Sequence, residues 1–233
     1  ELKAQGLVPM MRAHQGLRLA IYAVAAALVL LFVALLAYWW LLPAPAAADS
    51  PYATADAGAA QSTAADQWEQ GVVPSLYQSD TSWADVPYGQ ATLASTGAAP
   101  VALAMAYVAA TGDTTYTPVE FAQWATDHDL TAAGVDTIGA FLQQGGTAFG
   151  LAVDPMIVDD RTLRHAIVSN VPVLAVTQPG TFAPASSVVV LDDIDKDSHI
   201  VLHDPTSASR SAKGWAFDDI TDAAALAFTV HEV

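Results

Sequence analysis

A long run of uncharged, mostly apolar residues near the N-terminus constrains this chain more than any other feature. The run Leu19–Leu42 contains 24 residues, and as an α-helix it would be about 36 Å long. The hydrocarbon core of a bilayer is about 30 Å thick, so the run predicts one tilted transmembrane helix over 19–42. Tyr38, Trp39 and Trp40 lie near its end, where an interfacial aromatic belt is expected.

The charges on the two sides of this run differ in sign. Residues 1–18 carry three basic side chains and one acidic one, whereas residues 43–233 carry 5 basic and 23 acidic side chains, a net charge of −18. Basic residues flanking a transmembrane helix favour the cytoplasmic side. The sequence therefore predicts a single-pass protein of the cell membrane, with residues 1–18 in the cytoplasm and the C-terminal part outside it.

Two other interpretations of the apolar run remain open. Ala46-Ala47-Ala48 resembles the small-residue site at which a signal peptide is cleaved. However, the apolar region of a signal peptide is usually about 7–15 residues long, which is shorter than this run. A buried helix of a globular core is the third interpretation, and it would require apolar neighbours on every side.

The composition of the remaining chain changes once more. Residues 43–71 are rich in Ala, Pro, Ser and Thr and predict an exposed stalk, whereas residues 72–233 predict a globular extracytoplasmic domain. The chain has no cysteine, which excludes disulfides, thiolate metal sites and a cysteine nucleophile. Its net charge of −16 and the absence of a Lys or Arg cluster exclude a nucleic-acid-binding surface of the usual basic kind.

The predicted elements of the globular part indicate an α+β fold. Helix signals come first, among them the capping box that begins at Thr117, and strand signals follow. This order suggests an antiparallel sheet with helices in a separate layer. The helices are predicted at 100–110, 118–127, 137–144 with an extension toward 149, and 161–169, and the strands at 172–177, 188–191, 200–202 and 227–231.

Several segments together are similar to the bacterial papain-like cysteine peptidases of the peptidase C39-like group. They read VPSLYQSDTSWADVPYG, ALAMAYVAATGD, YTPVEFAQWATDH and HDPTSASRSAKGWAFDDI, in that order, and the match covers about Val73–Val233. The resemblance implies a papain-like fold, with a helical half that carries the nucleophile and a sheet half that carries the histidine and its acidic partner.

The resemblance also implies which positions correspond to the catalytic residues. The family's Ser-x-Gly-Cys-Gly-Pro motif, at the start of a central helix, matches Ser95–Pro100, so the cysteine position is Ala98. Counting back from the segment that contains Asp204 places the histidine position at Ser187, and Asp204 itself matches the acidic member. Gln78 is the candidate for the oxyanion-hole residue.

These residue types cannot perform the inherited reaction. Alanine has no nucleophilic atom, and serine at the histidine position cannot act as a base near neutral pH. The sequence therefore predicts an inactive peptidase-like domain that binds a peptide or protein through Gln78, Ala98, Ser187 and Asp204. The acidic charge favours a cationic partner. Two alternatives remain: a structural subunit of a larger membrane complex, and a hydrolase with a rebuilt site made of Ser187, a histidine and Asp204.

The sequence predicts no metal ion and no other cofactor. His199 and His203 share one face of a strand but lie about 13 Å apart along it, which is too far for one metal ion. Asp193, Asp195 and Asp197 have the spacing that begins a calcium-binding loop. The glycine and the final glutamate of such a loop are missing, so a solvated turn is the favoured interpretation.

Overall fold

The computed structural model describes residues 61–233 and, before them, only Tyr22, Val24, Ala26, Ala27 and Val29, which are helical. The chain divides into two compact units, Glu1–Ala48 and Asp49–Val233. Most of the predicted transmembrane helix over 19–42, the segment 1–18 and the first part of the stalk lie outside the described residues. Among the residues that are described, no helix is both long enough and apolar enough to cross a bilayer.

Residues 61–233 form an α+β domain, as predicted, with seven α-helices, a short 3-10 helix at Ala65–Gln67 and seven strands. In chain order the helices are α1 (Leu93–Thr96), α2 (Ala98–Thr111), α3 (Pro118–Asp127), α4 (Val135–Ala148), α5 (Asp160–Val168), α6 (Ala208–Ser211) and α7 (Phe217–Ala223). The strands are β1 (Pro87–Tyr88), β2 (Ala91–Thr92), β3 (Leu151–Met156), β4 (Val173–Thr177), β5 (Ser187–Ile194), β6 (Ile200–His203) and β7 (Ala224–Glu232).

The main sheet has five strands in the order β3-β7-β4-β5-β6, and each adjacent pair is antiparallel. Alternate residues of β4 face opposite sides, so that Leu174 and Val176 belong to one core and Val173 and Ala175 to another. The helices α2, α3 and α4 contribute to the first core, and α5 and α7 contribute to the second. Because both faces are buried, β4 is a continuous apolar run without polar alternation.

The long helix α2 is buried along most of its length. Every residue from Ala98 to Ala109 is buried, so the helix needs no polar face. It ends at Thr111, and the next residue, Gly112, has a φ of 69°, the left-handed conformation that glycine adopts most easily. The sequence placed its start at Pro100, and the structure begins it at Ala98, with the proline still in the first turn.

Strand β3 was not predicted, and it changes the expected order of helices followed by strands. Its residues contain Asp154 and Pro155, which do not give the usual apolar strand pattern. The strand lies at the edge of the sheet and pairs only with β7 among the described strands. A proline is tolerated there because one side of an edge strand donates no ladder hydrogen bonds.

The structure describes residues 61–71 at the end of the predicted stalk 43–71, and most of them are exposed. The indole of Trp68 is buried in the first core, and its Nε1 donates to the carbonyl oxygen of Thr63 at 2.9 Å. The backbone N–H of Thr63 donates to the carbonyl oxygen of Ser75 at 2.8 Å. Residues 61–71 therefore pack onto the domain, because one large aromatic side chain secures a segment that is otherwise small and polar.

Candidate functional site

A cleft of about 450 Å³ opens beside the start of α2. Its walls include Gln78 and Ser79, residues of α1 and the start of α2, the loop 131–133, and the segment 182–187 that leads into β5. Single residues of β1 and α4, together with Thr206 and Arg210, complete the lining. The lining combines apolar side chains, including Tyr88, Ile138 and Phe182, with several hydroxyl groups. A cleft of this size and composition is typical of a ligand-binding site.

Ala98 lies at the N-terminus of α2 and lines this cleft. The preceding residue, Gly97, is the N-cap and supplies no side-chain hydrogen bond to the first turn. An ideal Cβ at Gly97 would lie 2.5 Å from the carbonyl oxygen of Leu93, so a glycine is required for this close turn. The first N–H groups of a helix lack intrahelical partners, and here they begin at the cleft.

Ser187 is the first residue of β5 and lines the same cleft. The residue is only 2% exposed, and its Oγ has no hydrogen-bond partner among the described residues. A buried hydroxyl without a partner is unfavourable by about 1–3 kcal/mol. The position is therefore polar at a place where packing alone would favour an apolar side chain.

Asp204 directly follows β6, and its carboxylate is buried. Its Oδ2 accepts a hydrogen bond from Nε of Arg210 at 2.6 Å. Its Oδ1 accepts from the backbone N–H and the hydroxyl of Thr206, at 2.8 and 2.7 Å. Thr206 and Arg210 line the cleft, whereas Asp204 does not. Asp204 therefore lies behind the lining, and both of its carboxylate oxygens accept hydrogen bonds from Arg210 and Thr206.

Gln78 connects the cleft to both halves of the domain. Its backbone N–H donates to the carbonyl oxygen of Pro205 at 2.9 Å, and its Nε2 donates to the carbonyl oxygen of Ala94 at 2.8 Å. The side-chain Oε1 is buried and has no partner among the described residues. Exchanging the amide oxygen and nitrogen would place two acceptors face to face at Ala94, so the orientation follows from the hydrogen-bond network.

The structure thus places three of the four predicted positions, Gln78, Ala98 and Ser187, on one cleft and holds Asp204 just behind it. The lining from the described part of the chain includes no histidine, thiol or carboxylate. Burial raises the pKa of Tyr88 to about 12, so its phenol stays protonated at neutral pH. None of these lining groups is a general base for Ser187 near neutral pH.

A different serine, histidine and aspartate are hydrogen-bonded to one another, which the sequence did not indicate. Nδ1 of His203 lies 3.0 Å from Oγ of Ser75, and its Nε2 lies 3.2 Å from Oδ2 of Asp192. Ser75 also uses its N–H and its carbonyl oxygen in hydrogen bonds with Thr63. None of Ser75, His203 and Asp192 lines the cleft. The group ties the N-terminal segment of the domain to β5 and β6.

The acidic turn between β5 and β6 is stabilised by hydrogen bonds within the turn. Oδ1 of Asp195 accepts from the backbone N–H groups of Asp197 and His199, at 2.8 and 2.9 Å. The backbone hydrogen bond from His199 is the main reason that the pKa of Asp195 is lowered. Across residues 61–233, no group of three or more histidine or acidic side chains has an arrangement that could hold a metal ion.

Arg210 is the cleft residue that sequence reasoning missed. The sequence after Asp204 contains no motif that marks this arginine as the partner of the aspartate. The pairing depends on the short helix α6, whose Ser207 side chain accepts from the backbone N–H of Arg210.

Comparisons with protein-family models, with curated proteins and with solved structures give no match for this chain.

Proposed function

We propose that this chain is a membrane-anchored, extracytoplasmic pseudopeptidase with a papain-like fold, whose cleft binds a peptide or protein segment without cleaving it. The observation that carries the proposal is the meeting of Gln78, Ala98 and Ser187 on one cleft. These positions lie on separate segments of the sequence, and the resemblance assigns all three to one site. A chance assignment of three positions would seldom bring them to one site.

The arrangement of elements supports the same proposal. A papain-like enzyme carries its nucleophile at the start of a central buried helix, and Ala98 begins such a helix here. Its histidine and acidic residue come from neighbouring strands, and β5 and β6, which lead to Ser187 and Asp204, pair directly. Without a nucleophile at Ala98, the cleft keeps its shape but loses the covalent step.

The polar atoms of the cleft suit a polypeptide main chain. A peptide offers an N–H donor and a carbonyl acceptor at every residue, and the cleft offers both kinds of partner. Oε1 of Gln78 is an unused acceptor, and the start of α2 presents donors. The apolar residues Tyr88, Ile138 and Phe182 provide surface for side chains of the bound segment.

The binding role predicts that a bulky side chain at Ala98 displaces the partner. In affinity capture from native membranes with the tagged full chain, the Ala98→Leu variant should recover at least about tenfold less of the specific partner, because the leucine occupies the cleft. Ala148→Leu is the matched control, since Ala148 is an exposed helical alanine outside the cleft. Quantitative mass spectrometry compares the three samples.

Folding must be unchanged for this result to count, so the thermal unfolding of both variants is compared with that of the unsubstituted chain. Equal partner recovery with Ala98→Leu and Ala148→Leu would contradict the cleft as the binding site. Recovery of a partner that has been cut, with cleavage lost in Ser75→Ala or Ser187→Ala, would contradict the inactive assignment and favour a hydrolase.

The membrane anchor predicts a specific protection pattern. Protease added to spheroplasts that express the full chain should digest the domain after residue 43 and leave residues 1–18 intact, because the basic segment remains in the cytoplasm. Antibodies against tags at the two ends follow the two parts. A mature protein that begins near Asp49 and appears in the medium would show instead that the apolar run is a cleaved signal peptide.

A further inference from the structure

Arg210 is the only charged residue that lines the cleft among the residues that the structure describes. Its Nε donates to Asp204, and its Nη2 donates to Oγ1 of Thr206 at 2.6 Å. The third nitrogen, Nη1, makes no hydrogen bond within the described part of the chain. Guanidinium groups bind carboxylates through paired N–H donors, so a free edge of this kind favours a carboxylate oxygen.

The start of α2 adds a second source of positive potential to the same cleft. Ala98 and Ala99 both line it, and no side chain caps the first turn. The aligned peptide dipoles of a helix give its N-terminus a partial positive charge of about half a proton charge. An anionic group in this cleft would therefore be close to a guanidinium, whose charge Asp204 partly offsets, and to the partial positive charge of the helix N-terminus.

Ser187 provides an independent indication that the cleft takes a polar ligand. The residue is 98% buried, since only 2% of its surface is exposed, and its Oγ lacks a partner among the described residues. A hydroxyl can donate to an oxygen after rotation about one side-chain bond. A ligand oxygen in the cleft would remove the cost of the unpaired hydroxyl.

We propose, on the basis of the proposed function, that the cleft holds the free C-terminal carboxylate of its peptide. An internal peptide carbonyl is a neutral acceptor, whereas a terminal carboxylate has two oxygens and a negative charge for Arg210, the α2 N-terminus and Ser187. The charge of −18 on residues 43–233 repels anions at long range. The residues that precede the bound terminus are therefore basic, so that the approaching peptide is cationic while its end is anionic.

A synthetic library tests this end recognition with the full chain in mild detergent. The probe is a pool of N-acetylated hexapeptides with lysine at the first three positions and varied apolar residues at the last three. One half of the pool ends in a free acid and the other half ends in a carboxamide. Free acids should be retained at least about tenfold more strongly, because charge-assisted hydrogen bonds are about twice as strong as neutral ones.

Two variants separate the groups that recognise the carboxylate. The paired substitution Asp204→Asn with Arg210→Gln removes the cation and its counter-charge together, and it should abolish the preference for acids over carboxamides. Ser187→Ala should reduce the preference by a smaller factor. Ala148→Leu, outside the cleft, should leave the preference unchanged.

Equal retention of acids and carboxamides, or retention of neither, would overturn this inference. The proposed function fails in a different way, through partner capture that is insensitive to Ala98→Leu. A chain that binds acids and carboxamides equally, and loses both with Ala98→Leu, would keep the peptide-binding role and lose the terminal recognition.

Discussion

Replacing Asp204 by asparagine should destabilise the domain by about 3–5 kcal/mol, because the single substitution leaves the guanidinium of Arg210 without its counter-charge in a buried site. The carboxylate of Asp204 is fully buried and the side chain of Arg210 is 14% exposed. Asparagine preserves an acceptor for Thr206, but its Nδ2 donor or a neutral oxygen must then face Nε of Arg210. Urea unfolding of the full chain, followed by near-ultraviolet circular dichroism, measures the loss.

The control for this prediction is a double-mutant cycle. Arg210→Gln alone should destabilise the domain by a similar amount, because it leaves the carboxylate of Asp204 buried without its cationic partner. The two substitutions together should lose much less stability than the sum of the single losses, since a neutral amide pair replaces the ion pair. If the two losses of unfolding free energy simply add, the side chains are not coupled. The ion pair at 2.6 Å then does not stabilise the domain behind the cleft.

Replacing Gly97 by alanine should destabilise the domain by about 3 kcal/mol, because a backbone segment has to move to admit the methyl group. The new Cβ would lie 2.5 Å from the carbonyl oxygen of Leu93 and 2.8 Å from its Cα. The same turn connects α1 to α2, so its displacement would also move Ala98. Urea unfolding measures the stability, and partner capture by the surviving folded protein measures the damage to the cleft.

Gly139→Ala is the matched control for the glycine prediction. Its Cβ would meet the terminal Cδ1 of Leu226 at 2.8 Å, and the end of a flexible side chain can move aside. Because Gly139 lies within α4, alanine also improves helix propensity by about 1 kcal/mol. The net change should stay within about 1 kcal/mol of zero. Similar losses at Gly97 and Gly139 would contradict the special role of the turn before α2.

Local signals in the sequence were reliable where a few neighbouring residues decide the structure. The helix after Thr117 begins with the predicted capping box, in which the Thr117 hydroxyl accepts from Val119 and the Glu120 carboxylate accepts from the N–H of Thr117. The apolar run of β4 likewise produced the expected strand at Val173–Thr177. These patterns act through hydrogen bonds and burial within one element, so no distant contact is needed to read them.

Sequence reasoning was less successful where distant residues decide the structure. Strand β3 forms despite Asp154 and Pro155 because β7 supplies its hydrogen-bond partners from the far end of the chain. Residues 61–71 pack onto the domain because the side chain of Trp68 is buried in the first core. In both cases a weak local preference is outweighed by contacts that exist only after the chain has folded.

The amino-acid sequence alone determined the α+β class, the main helices and strands, the lack of any thiol, and the alanine at position 98. Only the tertiary structure decided that Gln78, Ala98 and Ser187 share one cleft. It also decided that Arg210 and Thr206 donate hydrogen bonds to the carboxylate of Asp204. The hydrogen bonds of His203 with Ser75 and Asp192 likewise appear only in the folded domain. The physical reason is that helix caps and apolar patterns act between near neighbours in the chain, whereas a cleft and a buried ion pair depend on where separate elements pack.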